Sequence, residues 1–554
     1  MTTPHPQEIE LKLTLPPGEV PAFLRRMARR RAAPVEQDLV TRYFDTPDFA
    51  LSGQGVALRV RRSGRRWLQT LKTEGERVGG LSRRLEFEMP VRSGAPDWSR
   101  FPPEALAYVP DALRGQVVPV FETRFHRTAW LLKGRGGAQI EVALDVGEVV
   151  AGERCEPICE VELELKAGRP DALFALALDW AGDFGCLPFD VSKAERGVRL
   201  AHGIGPAPVK AVALTLAAGM SVEEGFAAIV QACLAQFQAN LPGVLEQGEQ
   251  AGGREGAKTV PTAMASCPSP QPSPQGGEGA NAGPETIHDI EYVHQARVAL
   301  RRLRAALRLF RRVCVLPDEL MDGLRALAAA LGPARDWDVL CSETLPAIAP
   351  HYPDSAPWQA GLDVLQAHRQ EVRDAMRTAL AAGRPGQWLL AMQRWLQDQG
   401  WRRAAGGTAP EAQRFAQLAP LEDWARVALK RGHRRVARGA RQFADLAPPE
   451  RHALRIAIKR QRYAAEFFQT LFAGLPHGHR RRQAGYLALL RDAQDSLGRA
   501  NDARIAAGLM AAAPPQAGPM ADFVRGWLAA GLASNDDGDS GRLMQAFLDA
   551  PTYW

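Results

Sequence analysis

Long hydrophobic runs are missing from this sequence of 554 residues. The longest, such as Ala172 to Leu178, fall far short of the ~20 apolar residues a membrane-spanning helix needs. Met1 to Gln7 has no apolar core and no cleavage signature, so no signal peptide is expected there. Cysteine is scarce: there are seven, an odd number, scattered along the chain. The closest pair, Cys155 and Cys159, has no His or Cys cluster beside it, which argues against a zinc site and for reduced thiols and a cytoplasmic protein. No Ser-His-Asp or Cys-His constellation is found. Glycine-rich pieces such as Gly134-Arg135-Gly136-Gly137 lack the spacing and the Lys-Ser/Thr ending of a phosphate-binding loop and are expected as hairpin turns. What is present is an ordinary soluble composition, 46% hydrophobic and 24% charged, at a length that calls for two or three domains. A net charge of +7 and a pI near 9.1 point to an anionic partner without saying which anion.

Residues 1 to about 203 read mainly as strands. Alternating apolar and charged residues mark candidates at Gln7–Leu15, Leu39–Asp45, Val56–Arg62, Trp67–Thr73, Arg84–Val91, Val120–Lys133, Gln139–Val150 and Pro157–Lys166, a period of two that sends successive side chains to opposite faces. Helical patterns intervene at Gly18–Arg31 and Asp171–Phe184. Eight strands with few helices predict one antiparallel barrel or sandwich. The charges sort by strand. Glu8, Glu10 and Lys12 share a face, as do Arg59 and Arg61, while Glu160-Val161-Glu162-Leu163-Glu164-Leu165-Lys166 nearly repeats the opening stretch. A barrel turning these faces inward would have an acidic wall and a basic wall, suited to a polyanion bridged by metal, with carboxylates on the cation and Arg and Lys on phosphate oxygens. A sandwich with a charged solvent face is the plainer alternative.

Glu8-x-Glu10-x-Lys12, Tyr43-Phe44-Asp45-Thr46, Leu58-Arg59-Val60-Arg61, Leu68–Thr73, the Glu160–Lys166 run and Ser192-Lys193 together resemble the CYTH family of triphosphate tunnel metalloenzymes. The resemblance implies an eight-stranded antiparallel tunnel that binds triphosphates with Mg²⁺ or Mn²⁺. Carried over residue by residue, it implies a metal-facing acidic set of Glu8, Glu10, Asp145, Glu160, Glu162 and Glu164. Phosphate contacts would come from Lys12, Arg59, Arg61, Lys72, Arg84, Arg127 and Lys193. Arg124 is an alternative to Arg127, because Arg124-Phe125-His126-Arg127 leaves the inward residue open. The reaction implied is phosphoryl transfer to water, with Lys12 and a carboxylate from Glu160, Glu162 or Glu164 as the catalytic groups. His126 is expected outside the tunnel.

Gly203 to Pro208 marks a boundary, beyond which the pattern is helical to residue 554. Ser221 and Glu224 form a candidate capping box, followed by Phe226, Ile229, Val230, Leu234 and Phe237 at helical spacing. The Gly-, Pro- and Ser-rich stretch at about 248–284 is expected as a mobile loop within a second domain, 206–554. His294, Arg297, Arg301, Arg302 and Arg304 align without a gap on His452, Arg455, Lys459, Arg460 and Arg462, and Leu331–Asp336 resembles Leu497–Asp502. Such duplication predicts a pseudo-twofold bundle. His294, Arg297, Arg301, Arg304 and Arg308 step by three or four and share a helix face, as do His452, Arg455, Lys459 and Arg462. Seven arginines and no acid lie between Tyr292 and Cys314; a polyvalent anion along this face would relieve their repulsion.

These motifs resemble the CHAD domain, an α-helical polyphosphate-binding module, and imply that the nine residues just named bind polyphosphate. Ala296 and Gln461 depart from the larger apolar residues expected there. The fold class expected is therefore α+β: an N-terminal eight-stranded antiparallel β-barrel tunnel followed by an all-α pseudo-twofold helical bundle. The function implied is metal-dependent hydrolysis of inorganic triphosphate, with polyphosphate binding by the helical half. Alternatives are a nucleoside or thiamine triphosphatase or an adenylate cyclase in the same tunnel, or a non-enzymatic polyphosphate binder. Nucleic acid is a weaker candidate, since the arginines lack interleaved aromatics, and no membrane partner is expected.

Overall fold

The computed structural model describes residues 7–30, 32–64, 66–246, 284–404, 407–408, 410–474, 476–533 and 538–554. The opening residues and the insert at 248–284, apart from its last residue, lie outside them. Two compact units are present. One is built on the chain up to Ala207 together with Arg384–Arg394; the other is built on Pro208–Leu245, 284–383 and Trp395–Trp554.

The first unit is an antiparallel sheet that closes on itself. Its strands are β1 (Gln7–Thr14), β2 (Val35–Asp45), β3 (Val56–Ser63), β4 (Arg66–Thr73), β5 (Glu76–Val78), β6 (Leu81–Val91), β7 (Val118–Lys133), β8 (Gln139–Ala151), β9 (Arg154–Ala167) and β10 (Leu187–Pro188). Eight of them run β1-β9-β8-β7-β2-β3-β4-β6, and β1 also pairs with β6, which closes the barrel. The short β5 and β10, which alternation did not reveal, add to β6 and β1 at the rim. The alternative of a sandwich with an outward charged face is thereby excluded, and the expected eight-stranded barrel is present.

The alternation of β1 explains where the core sits. Leu11 and Leu13 point outward and are fully buried under two helices, α1 (Val20–Ala28) and α2 (Asp171–Phe184). Phe23 of α1 anchors this layer. Its ring meets Trp130, Trp180 and Phe184 edge-on, with centroids 6.3, 5.1 and 5.5 Å away. The hydrophobic core therefore lies outside the barrel, and the barrel interior is left to the charged residues. A third helix, α3 (Lys193–Ala201), starts with a capping box between Ser192 and Glu195. It packs so closely on β7 that a Cβ at Gly197 would meet the Phe121 ring at 2.0 Å.

Among the described residues the second unit is helical apart from two paired two-residue strands, Arg403–Ala404 and Gly407–Thr408. Its first helix, α4 (Val222–Leu245), begins at the Ser221–Glu224 capping box and buries Phe226, Ile229, Val230, Leu234 and Phe237. It packs on α5 (Pro284–Phe310), which is followed by α6 (Asp318–Val339), α7 (Leu421–Arg441), α8 (Pro448–Phe467) and α9 (His477–Ala511), among others. Both departures from the expected apolar pattern have local reasons. Ala296 is fully buried. Gln461 donates to Leu429 O and to the Tyr486 hydroxyl, and Gly432 leaves room for its amide. Among the described residues no helix is long and apolar enough to cross a membrane. Cys159, Cys186, Cys233, Cys314 and Cys341 are free.

Phe23→Ala removes the ring that α2, α1 and β7 share. We expect it to cost about 3–5 kcal/mol, seen as a lower urea midpoint for loss of the barrel; an unchanged midpoint would contradict this placement of the core.

Candidate active site in the barrel

The barrel encloses a cavity of about 1250 Å³. Its register sets the wall. Glu8 lies opposite Arg84, Glu10 opposite Glu164 and Lys12 opposite Glu162. Arg59 lies opposite Thr70, and Arg127 opposite Asp145. Glu8, Glu10, Lys12, Arg59, Arg61, Lys72, Arg84, Arg127, Glu162, Glu164 and Lys193 all line the cavity. Asp145 and Glu160 sit just behind them, 0% and 1% exposed. Arg124 is corrected by the register. It falls on the other parity of β7 from Phe125 and Arg127, is about half exposed and pairs with Glu122. His126, on the same outward side, meets Asp38 at 2.9 Å.

The expected separation into an acidic and a basic wall does not occur; charges of opposite sign are interleaved. Buried charges of one sign repel and lose their water, so each takes a counter-charge. On one side, Lys193 Nζ lies 2.6 Å from Asp145, 2.5 Å from Glu160 and 2.9 Å from Glu162. Arg127 donates twice to Asp145 at 2.7 Å and once to Glu162 at 2.5 Å. Lys12 stands 3.6 Å from Glu160 and 3.4 Å from Glu162. On the other side, Lys72 binds Glu8 at 2.9 Å and Glu86 at 3.1 Å, while Arg84 binds Glu8 at 2.8 Å and Glu10 at 2.7 Å. Arg59 reaches Glu86 at 3.4 Å and Arg61 reaches Glu88 at 3.1 Å.

These pairings set the protonation states. Burial alone would raise Glu162, but Lys193, Arg127 and Lys12 outweigh it and hold this carboxyl well below its usual range. Lys72 and Arg84 do the same for Glu8 against its own burial. Burial would lower Lys12, but Glu160 and Glu162 raise it. Lys193 is likewise raised against burial by Asp145, Glu160 and Glu162. Glu164 and Glu86 go the other way, because burial outweighs their cationic neighbours and raises them.

Asp145, Glu160 and Glu162 each offer a ligand oxygen, all within 4.8 Å of one another. Three hard oxygen donors at this spacing fit Mg²⁺ or Mn²⁺ and would not select a soft metal. Of the six acids expected to face metal, these three converge. Glu8 and Glu10 are instead gripped by Lys72 and Arg84, and Glu164 by Lys166 at 2.7 Å. Arg59 Nε and Arg61 Nε are buried donors without a hydrogen-bond partner among the described residues, as expected of groups awaiting an anion. Sequence reasoning missed Arg196, which ties Glu160 (3.3 Å) to Glu156 (2.6 Å). Its signal was there: it follows Lys193 by three residues, on the same helix face. Glu86 and Glu88 were also given no role, although they alternate in step with Arg84.

In the helical unit the repeated motif recurs as a repeated contact. Arg297 binds Asp336 at 2.7 Å and Gly332 O at 2.8 Å, and the equivalent Arg455 faces Asp502 at 3.8 Å. Arg462 is held by Gln494 at 3.0 Å and Glu466 at 2.5 Å. Arg301 and Lys459 have no hydrogen bond or acidic partner among the described residues. Burial, then Arg301, Arg455, Arg462 and Arg297, push the Lys459 ammonium down to about 8. Burial, Arg335 and Arg301 lower His294, whereas His452, Arg304 and Arg308 are exposed. A shallow groove of about 350 Å³ is lined by Val427, Lys430, Arg431, Arg434, Arg435 and Arg438 of α7.

Residues 6–198 match the family model of the CYTH domain and residues 280–511 that of the CHAD domain. A curated relative, the inorganic triphosphatase of Haemophilus influenzae, is 35% identical over 212 residues, 35% of this chain. The matched part spans about half (55%) of that relative's length. Among solved structures, the CHAD domain of Ricinus communis is 30% identical, covering 63% of this chain and 99% of its own, with a TM-score of 0.47. HpAC1 from Hippeastrum, described as having a dominant triphosphatase activity, is 19% identical, covering 36% of this chain and 97% of its own, with a TM-score of 0.26. The chain thus joins two known families, with a CYTH domain at 6–198 and a CHAD domain at 280–511.

Proposed function

We propose that the barrel hydrolyses inorganic triphosphate to diphosphate and phosphate with the help of Mg²⁺ or Mn²⁺, and that the helical unit binds polyphosphate. The cytoplasmic location expected from the sequence goes with this reading. The observation that carries it is the convergence of Asp145, Glu160 and Glu162 at the wall of the cavity that Arg59 and Arg61 line with Nε donors that lack a partner among the described residues. The named activity of the Haemophilus influenzae relative supports it.

Asp145, Glu160 and Glu162 would hold the cation, which when bound supplies Lewis-acid neutralisation of phosphate oxygens. Arg59 and Arg61 orient the phosphate chain through their free donors. Lys12 and Arg127, buried and permanently charged, stand where negative charge builds on the phosphoryl group as it transfers. Their effect is enlarged because the barrel wall keeps out bulk water. Lys72 and Arg84 reach phosphate by leaving Glu8 and Glu10, which then complete the acidic set. Glu164, raised by burial, is the carboxylate suited to take a proton from the attacking water.

Phosphate release from tripolyphosphate is the test. It should require Mg²⁺ or Mn²⁺, vanish with a chelator and return on adding the metal. Asp145→Asn and Glu162→Gln should each lower kcat/KM by at least about 100-fold, beyond what outer-shell partners usually contribute. Full activity in both variants would remove these residues from the site.

A second reading, an organic triphosphate, is favoured by one feature. Phe49 and His202 line the same cavity with ring centroids 4.4 Å apart, beside stacked Tyr43 and Phe121. A panel of tripolyphosphate, ATP and thiamine triphosphate separates the two; a higher kcat/KM for either organic substrate would select the second.

For the helical unit, Lys459 gives a pH test. Its ammonium titrates near 8, so it is mostly charged at pH 7 and mostly neutral at pH 9. Polyphosphate affinity should fall several-fold across this interval, and binding at pH 8 should take up protons. In Lys459→Met both effects should shrink; an identical pH profile would place the polyphosphate elsewhere.

A further inference from the structure

The most constrained cation in the barrel is Lys193. Its Nζ lies within 2.5–2.9 Å of Asp145, Glu160 and Glu162, the three carboxylates that converge at the cavity wall. A divalent cation bound by the same three groups would stand about 2.0–2.6 Å from their oxygens. The ammonium and the metal would therefore occupy one place, and they exclude each other. Electrostatics says the same. Lys12, Arg127 and Arg196 already contact these carboxylates. Adding two positive charges without removing one is opposed at such burial.

Lys193 is also placed to leave. It is the first residue of α3, where the helix dipole disfavours a cation, so the carboxylates rather than the helix retain it. Arg196 fixes the helix independently through Glu156, Glu160 and Pro157 O. Gly197 seats it on Phe121. The side chain can then swing while the helix stays, and the space it borders is the cavity itself.

We propose that Lys193 is an internal stand-in for the divalent cation. It holds the carboxylate cage together in the metal-free protein, is displaced when the metal binds, and then turns its ammonium toward substrate phosphate. The inference rests on the divalent-cation reading of this cage. It makes metal and phosphate mutually supporting ligands: metal alone must expel a lysine into empty space, whereas phosphate offers that lysine a new partner.

The test measures Mn²⁺ binding to the full-length, substrate-free protein by electron paramagnetic resonance of free Mn²⁺. Lys193→Met should bind at least tenfold more tightly than wild type, and yet have a higher KM for tripolyphosphate. Equal or weaker Mn²⁺ binding by a folded variant would overturn the inference. Absence of Mn²⁺ binding to both proteins would remove the cation reading and this inference with it. Because Lys193→Met leaves acids unpaired and could fail to fold, the wild-type protein supplies a second measurement. Acetylation of Lys193 by a small amine-reactive reagent, followed by mass spectrometry, should be slow without metal and accelerate several-fold with Mn²⁺. Equal rates would contradict displacement.

Discussion

Charge that is enclosed must be paired, and this single constraint organises the barrel. Its outward faces are consumed by the apolar layer around Phe23 and Trp180, so alternation forces the charged residues of β1, β3, β4, β6 and β9 inside. Stability then demands that acids and bases meet across strands that are far apart in sequence. Glu8 finds Lys72 and Arg84, and Asp145 finds Arg127 and Lys193. A buried pair of this kind contributes little net stability, but breaking it is costly. The interior is therefore a store of paired charges, and under the proposed function phosphate would take over the bases and a divalent cation the acids.

The helical unit uses the same chemistry in a different form. Its duplicated motif spends the first arginine of each copy on an internal acid, Asp336 or Asp502, and leaves the middle cation, Arg301 or Lys459, without one among the described residues. Burial first, and then the crowding of Arg301, Arg455, Arg462 and Arg297, depress the ammonium of Lys459. Acid-paired and unpaired cations thus alternate within one four-residue step of helix.

Much of this was legible in the sequence. Strand alternation is a local property, so the eight main strands and the helices around Phe23 and Trp180 fall where the pattern put them, within a few residues. The Ser221–Glu224 capping box is equally local. What the sequence could not give is what depends on register between distant segments. Arg124 and Arg127 differ only in parity along β7, and the pairing with β8 decides between them. The convergence of Asp145 with Glu160 and Glu162, and the pairing of Glu8 and Glu10 with Lys72 and Arg84, follow from strand order. Arg196 was marked only by its spacing from Lys193, because its partner Glu160 lies on another element, and the two-residue β10 is too short to show a period.

A crystal structure with Mn²⁺ and a non-hydrolysable triphosphate analogue, read by Mn anomalous scattering, bears most directly on the idea that paired charges in a closed barrel form one phosphate-and-metal site. Anomalous density should lie among Asp145, Glu160 and Glu162, with phosphate oxygens on Arg59, Arg61 and Lys12. Density for metal and phosphate outside the barrel, with the interior ion pairs intact, would contradict it.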